Sequence, residues 1–104
     1  MTTWTRAVEV DQIDPEDVLP FSHEGTEYAV YRLEDDSIHV TDGYCTHEQE
    51  RLCDGLVMDG VIECPKHNGR FDVATGRALG APVIVDVRTY PTKVEDGVVY
   101  VDLS

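Results

Sequence analysis

The chain has 104 residues, enough for one domain with a modest core, and its 41% hydrophobic and 28% charged residues are the balance of an ordinary globular protein. Its 21 acidic against 8 basic side chains give a formal charge of −13, which argues against nucleic acid as a partner, because phosphate binding rests on clustered Lys and Arg. No apolar run approaches the roughly 18 residues needed to span a bilayer, and the first residues carry neither the basic stretch nor the apolar stretch of a signal peptide, so a cytoplasmic location away from membranes is expected.

The predicted elements are short strands separated by turn residues, with no stretch of helical period. Residues 4–10 alternate and open the chain as a strand. Residues 11–20 are acidic, carry two prolines and read as a connection, with Asp14-Pro15-Glu16-Asp17 able to start one helical turn. Phe21-Ser22-His23, a turn at Glu24-Gly25 and residues 26–33 read as a hairpin. Its second strand alternates Tyr28 and Val30 against Ala29 and Tyr31, so aromatic rings face both sides. Ile38-His39-Val40-Thr41 is the next strand, ended by Asp42-Gly43. The clearest hairpin signal is Leu56-Val57-Met58, Asp59-Gly60, Val61-Ile62-Glu63, since Asp-Gly supplies the positive φ angles of a tight two-residue loop. Phe71-Asp72-Val73 and a turn at Ala74-Thr75-Gly76 follow, then the stiff loop Gly80-Ala81-Pro82. Residues 83–94 are β-rich but interrupted by Pro91, and Glu95-Asp96-Gly97 turns the chain into Val98-Val99-Tyr100-Val101. The fold class is all-β.

Two Cys/His pairs flank the central hairpin. Cys45-Thr46-His47 and Cys64-Pro65-Lys66-His67 together read C-x-H-x16-C-x2-H. Each pair can place a thiolate and an imidazole at one turn, so the two turns offer two Cys and two His. That donor set suits a tetrahedral zinc ion or a [2Fe–2S] centre with two Cys on one iron and two His on the other. Zinc sites usually pair like ligands, Cys with Cys and His with His, whereas each turn here mixes them. A zinc-binding structural module is the chemical alternative. The third cysteine, Cys53, reads as a packed thiol between the motifs, and three thiols without a signal peptide argue against a disulfide scaffold. His23 and His39 sit in strands with no neighbouring thiol and are not expected to be ligands.

These residues resemble a Rieske-type [2Fe–2S] ferredoxin of bacterial aromatic-ring-hydroxylating dioxygenase systems. The resemblance rests on the two Cys/His pairs, on Asn68-Gly69-Arg70-Phe71-Asp72 after the second, on Leu52-Cys53-Asp54-Gly55, on Thr75-Gly76 and on the closing strand. It implies a single domain over residues 1–104 with three stacked antiparallel sheets, in which a small cluster-binding part, approximately residues 43–83, is inserted in a basal β part and holds the cluster in two loops. It implies Cys45, His47, Cys64 and His67 as the ligands of one [2Fe–2S] cluster, and Gly80-Ala81-Pro82 as a loop packed over it. Gly43, Gly69 and Pro82 are candidates for close backbone approach to the cluster, and Phe71 is expected to pack in the core.

Respiratory Rieske proteins carry an extra cysteine pair where this chain has Glu50 and Lys66, so that disulfide is impossible here. They also carry a Ser and a Tyr where this chain has Gly69 and Phe71. Fewer hydrogen-bond donors stabilise the reduced, more negative cluster less, so the potential is expected toward the low end of the Rieske range, near about −150 mV. The implied role is one-electron transfer with no turnover of its own: a flavin-dependent ferredoxin reductase supplies electrons and a terminal oxygenase receives them. The protein is expected to be a monomer, and its acidic surface suits basic docking patches and salt-sensitive complexes. A Rieske-type subunit of another reductase or oxygenase is the nearest alternative.

Overall fold

The computed structural model describes residues 3–46, 50–65, 69–80 and 85–104. Among the described residues ten strands run in the order β1 (Trp4–Glu9), β2 (Asp17–His23), β3 (Thr26–Arg32), β4 (Ile38–Asp42), β5 (Leu56–Met58), β6 (Val61–Glu63), β7 (Arg70–Asp72), β8 (Thr89–Tyr90), β9 (Thr92–Glu95) and β10 (Val98–Asp102). They form three antiparallel sheets, ordered β1-β10-β9, β2-β3-β4-β8 and β5-β6-β7.

Strand β3 explains the stacking. Its Ala29 and Tyr31 point into one core, with Leu52, Ile62 and Phe71, while Tyr28 and Val30 point into a second, with Val40, Val99 and Val101. Side chains alternate across a strand, so a strand buried on both faces places its sheet between two others. The expected three-layer, all-β architecture is the one observed, with aromatics on both faces of β3. The phenol of Tyr31 is wholly buried and hydrogen-bonded to Thr41 Oγ1 at 2.8 Å; that burial pushes its pKa well above the ordinary tyrosine value.

Turn chemistry fixes the registers. The β2–β3, β5–β6 and β9–β10 hairpins all close through two residues of positive φ, Glu24-Gly25, Asp59-Gly60 and Asp96-Gly97. That is the backbone whose twist matches the flanking strands.

Three expectations need correction. The connection expected over residues 11–20 is partly strand: β2 begins at Asp17 and contains Pro20, opposite Ala29. β2 is an edge strand, where a missing N–H costs no ladder bond. The helical turn forms earlier, as a 3-10 turn at Val10–Gln12, because the Gln12 side chain reaches back to accept the Glu9 N–H at 2.8 Å; Glu16 instead has φ 58°. The third concerns residues 83–94, whose described strands begin only at Thr89. Before that the Val87 N–H is spent on the Gly76 carbonyl at 2.8 Å, not on a ladder. Pro91 marks the crossing from the sheet of β4 to the sheet of β10. Among the described residues no helix is long and apolar enough to cross a membrane.

Candidate metal centre

The two cysteines occupy equivalent positions on two hairpin stems. In the first stem Tyr44 bridges Arg51, the Leu52 N–H donates to the Gly43 carbonyl at 2.8 Å, and the Cys45 N–H donates to the Glu50 carbonyl at 2.9 Å. In the second, Glu63 pairs with Arg70 at the end of β6 and β7, and the Cys64 N–H donates to the Gly69 carbonyl at 2.6 Å. Each cysteine is therefore the first residue of a six-residue loop closed at its base by its own N–H, running from Cys45 to Glu50 and from Cys64 to Gly69. His47, Lys66 and His67 lie in these loops but outside the described residues, as do Ala81 and Pro82 of the expected covering loop.

Both thiol side chains are buried in one core, with Leu52, Ile62, Phe71 and Val73 around them, and no disulfide joins the three cysteines. Buried sulfur at the bases of two matched loops, walled by hydrocarbon, fits a thiolate-held iron centre shielded from water on its inner side. Phe71 is fully buried there, as expected of a core residue. Cys53 sits on a 3-10 turn at Leu52–Asp54 and packs against the same core half-buried; partial burial pushes its pKa up despite the nearby Arg51. His23 stacks on Phe21, and His39 is hydrogen-bonded to Ser37 Oγ at 2.9 Å, so neither is drawn to the cysteines.

Several positioning residues carry no motif of their own. Gly43 has a reason other than approach to a cluster: a Cβ there would lie 2.7 Å from the Glu27 carbonyl oxygen, which its own N–H binds at 3.0 Å. Gly55 lies against the Glu63 carbonyl one residue before Cys64, and Gly76, with φ 76°, against the Val87 carbonyl. Thr46 Oγ1 donates to the Val85 carbonyl at 2.7 Å, tying the first loop to the segment ahead of β8. Only the glycines left a trace in the sequence, as turn residues; their close partners are distant in the chain.

Residues 3–91 match the Rieske [2Fe-2S] domain model. The chain belongs to the Rieske [2Fe–2S] family. This Rieske protein is 48% identical over 101 residues to the ferredoxin component of the naphthalene 1,2-dioxygenase system of Pseudomonas aeruginosa, covering 97% of this chain and 96% of that one. It superposes on the ferredoxin of Sphingomonas yanoikuyae B1 with a TM-score of 0.91 and 36% identity, covering 98% and 100% of the two chains. A chain in the complex of reduced oxygenase and oxidized ferredoxin of carbazole 1,9a-dioxygenase matches with a TM-score of 0.89 and 30% identity, over 98% and 94%. Membership brings one Rieske-type [2Fe–2S] cluster, and the full-length likeness to ferredoxin components brings the role of an electron carrier rather than a catalytic subunit.

Proposed function

We propose that this protein is a low-potential Rieske ferredoxin that passes single electrons from a flavin-dependent reductase to a terminal aromatic-ring-hydroxylating oxygenase. What carries the reading is the pair of buried cysteines at matched loop bases, in a chain collinear with a naphthalene dioxygenase ferredoxin component. Cys45 and Cys64 would supply thiolates to one iron, and His47 and His67 would supply imidazoles to the other. When bound, a [2Fe–2S] cluster takes up and gives back one electron.

The chain's own contribution is to hold the ligands, exclude water on the thiolate side and set the polarity around them. Leu52, Ile62 and Phe71 offer hydrocarbon where a hydroxyl would stabilise added negative charge, which supports a potential at the low end of the Rieske range. Residues around the loops present apolar surface: Tyr44 precedes Cys45 and is 41% exposed, and Val85, which holds Thr46, is 59% exposed. Such surface suits brief docking of redox partners. We further place the protein in the cytoplasm as a monomer, with residues 43–83 as the cluster-binding part.

The test is iron and acid-labile sulfide analysis with EPR of the dithionite-reduced protein, followed by turnover with a reductase and oxygenase. Two irons, two sulfides, a rhombic signal and oxygenase turnover support the reading. Zinc without sulfide, or a reduced protein that no oxygenase can oxidise, overturns it.

A further inference from the structure

One residue of the basal sheet touches both legs of the first cysteine loop. The Glu27 carbonyl accepts the Gly43 N–H at 3.0 Å on the leg that enters Cys45. The Glu27 carboxylate accepts Arg51 Nε at 2.7 Å and Arg51 Nη2 at 3.0 Å on the leg that leaves Glu50. Gly43 is required for this closeness, because any side chain there would strike Glu27. Among the described residues the second loop shows no such anchor to the basal sheet: Arg70 pairs at 3.5 Å with Glu63 of its own hairpin, and both side chains are more exposed than their counterparts. Glu27 is only 17% exposed at its side chain, so its fork to Arg51 is sheltered and geometrically defined.

We propose that Glu27 is the positioning residue of the first cysteine loop, and that its bidentate pair with Arg51 both fixes the loop and neutralises a cation beside the electron-accepting site. The proposal rests on the ligand assignment above. Its geometric half predicts weaker cluster retention when the fork is lost. Its electrostatic half predicts potential shifts of opposite sign, because an unpaired Arg51 favours the reduced, more negative cluster and an unpaired Glu27 disfavours it.

The experiment compares purified holoprotein of Glu27→Gln, Arg51→Gln, the double variant and Arg51→Lys. It measures iron release to a chelator, redox titration and the EPR of the reduced form. Expected are release about 10–100-fold faster in the three Gln variants, a raised potential in Glu27→Gln, a lowered one in Arg51→Gln, and a return toward wild type in the double variant. Arg51→Lys keeps the charge but not the fork, so it should release iron faster at an unchanged potential. Potential shifts of one sign in both single variants, or release equal to wild type, overturn the proposal. A wild-type protein without two irons and two sulfides would instead overturn the ligand assignment.

Discussion

Cys45 and Cys64 are related as equivalents: each follows the last cross-strand pair of a stem, Tyr44 with Arg51 and Glu63 with Arg70, and each closes its loop by donating its N–H to the carbonyl five residues on. Two sulfur donors are thus presented from rigid ladder ends into one core. A Ser in place of either keeps the backbone bond but removes the thiolate. Cys45→Ser and Cys64→Ser should each lose essentially all bound iron and sulfide, measured chemically, while far-ultraviolet circular dichroism stays β-rich.

Gly55 and Gly25 separate crowding from backbone freedom. A Cβ on Gly55 would run into the Glu63 carbonyl, whereas one on Gly25 meets open space but sits at φ 80°. Gly55→Ala should cost about 1–3 kcal/mol, as overpacking does, and should weaken cluster retention by displacing the end of β6. Gly25→Ala should cost about 1–2 kcal/mol and leave the cluster content unchanged. Thermal melts of the holoproteins with iron assays distinguish the two.

Phe71 is buried beside both cysteines and offers them no hydroxyl. Phe71→Ala should destabilise by about 3–5 kcal/mol. Gly69→Ser, which adds a hydroxyl at the base of the second loop, should raise the reduction potential in a redox titration.

His39 sets an acid limit on stability. Partial burial lowers its pKa below the ordinary imidazole value, outweighing the attraction of Asp35 and Asp72. The unfolded chain therefore binds a proton that the fold resists, so stability is complete above about pH 6.5 and falls as pH drops toward the lower folded value. Asp35 and Asp102, whose pKa values are lowered by hydrogen bonds from Ser37 and Ser104, add losses only below about pH 4. In melts between pH 7 and 5, His39→Gln should be the flatter profile.

The acidic charge is unevenly placed. β3 and β4 run antiparallel, and β4 delivers the chain to Cys45, so the turn carrying Glu34, Asp35 and Asp36 lies at the end away from the loops. Glu34 there meets Glu16 and Asp59, with their carboxylate oxygens within 4.8 Å of one another. Glu63 directly precedes Cys64, and Asp54 ends the 3-10 turn that follows the first loop. If the proposed reductase docks there, neutralising Asp54 and Glu63 should slow reduction at low salt and much less at high salt, while Glu34→Gln should leave the rate unchanged at either ionic strength. Stopped-flow kinetics over ionic strength reads this directly.

The C-x-H-x16-C-x2-H pattern, the Asp-Gly turn of the central hairpin and the two-faced alternation of β3 were legible because each is a local property: ligand spacing, turn φ angles and side-chain period. From them came the all-β class and a site of two Cys and two His; the resemblance to Rieske ferredoxins added the three sheets and the iron–sulfur centre. What the chain alone did not disclose were the partners across distance. Gly43 read as a glycine near the cluster until its neighbour proved to be Glu27, sixteen positions earlier; Arg51 carried no signal of its own, and Pro20 read as a break before a strand that in fact contains it. Pairing registers and ion-pair partners depend on which segments the two cores bring together. Local composition therefore determined what the site can bind, and tertiary packing decided how its first loop is held.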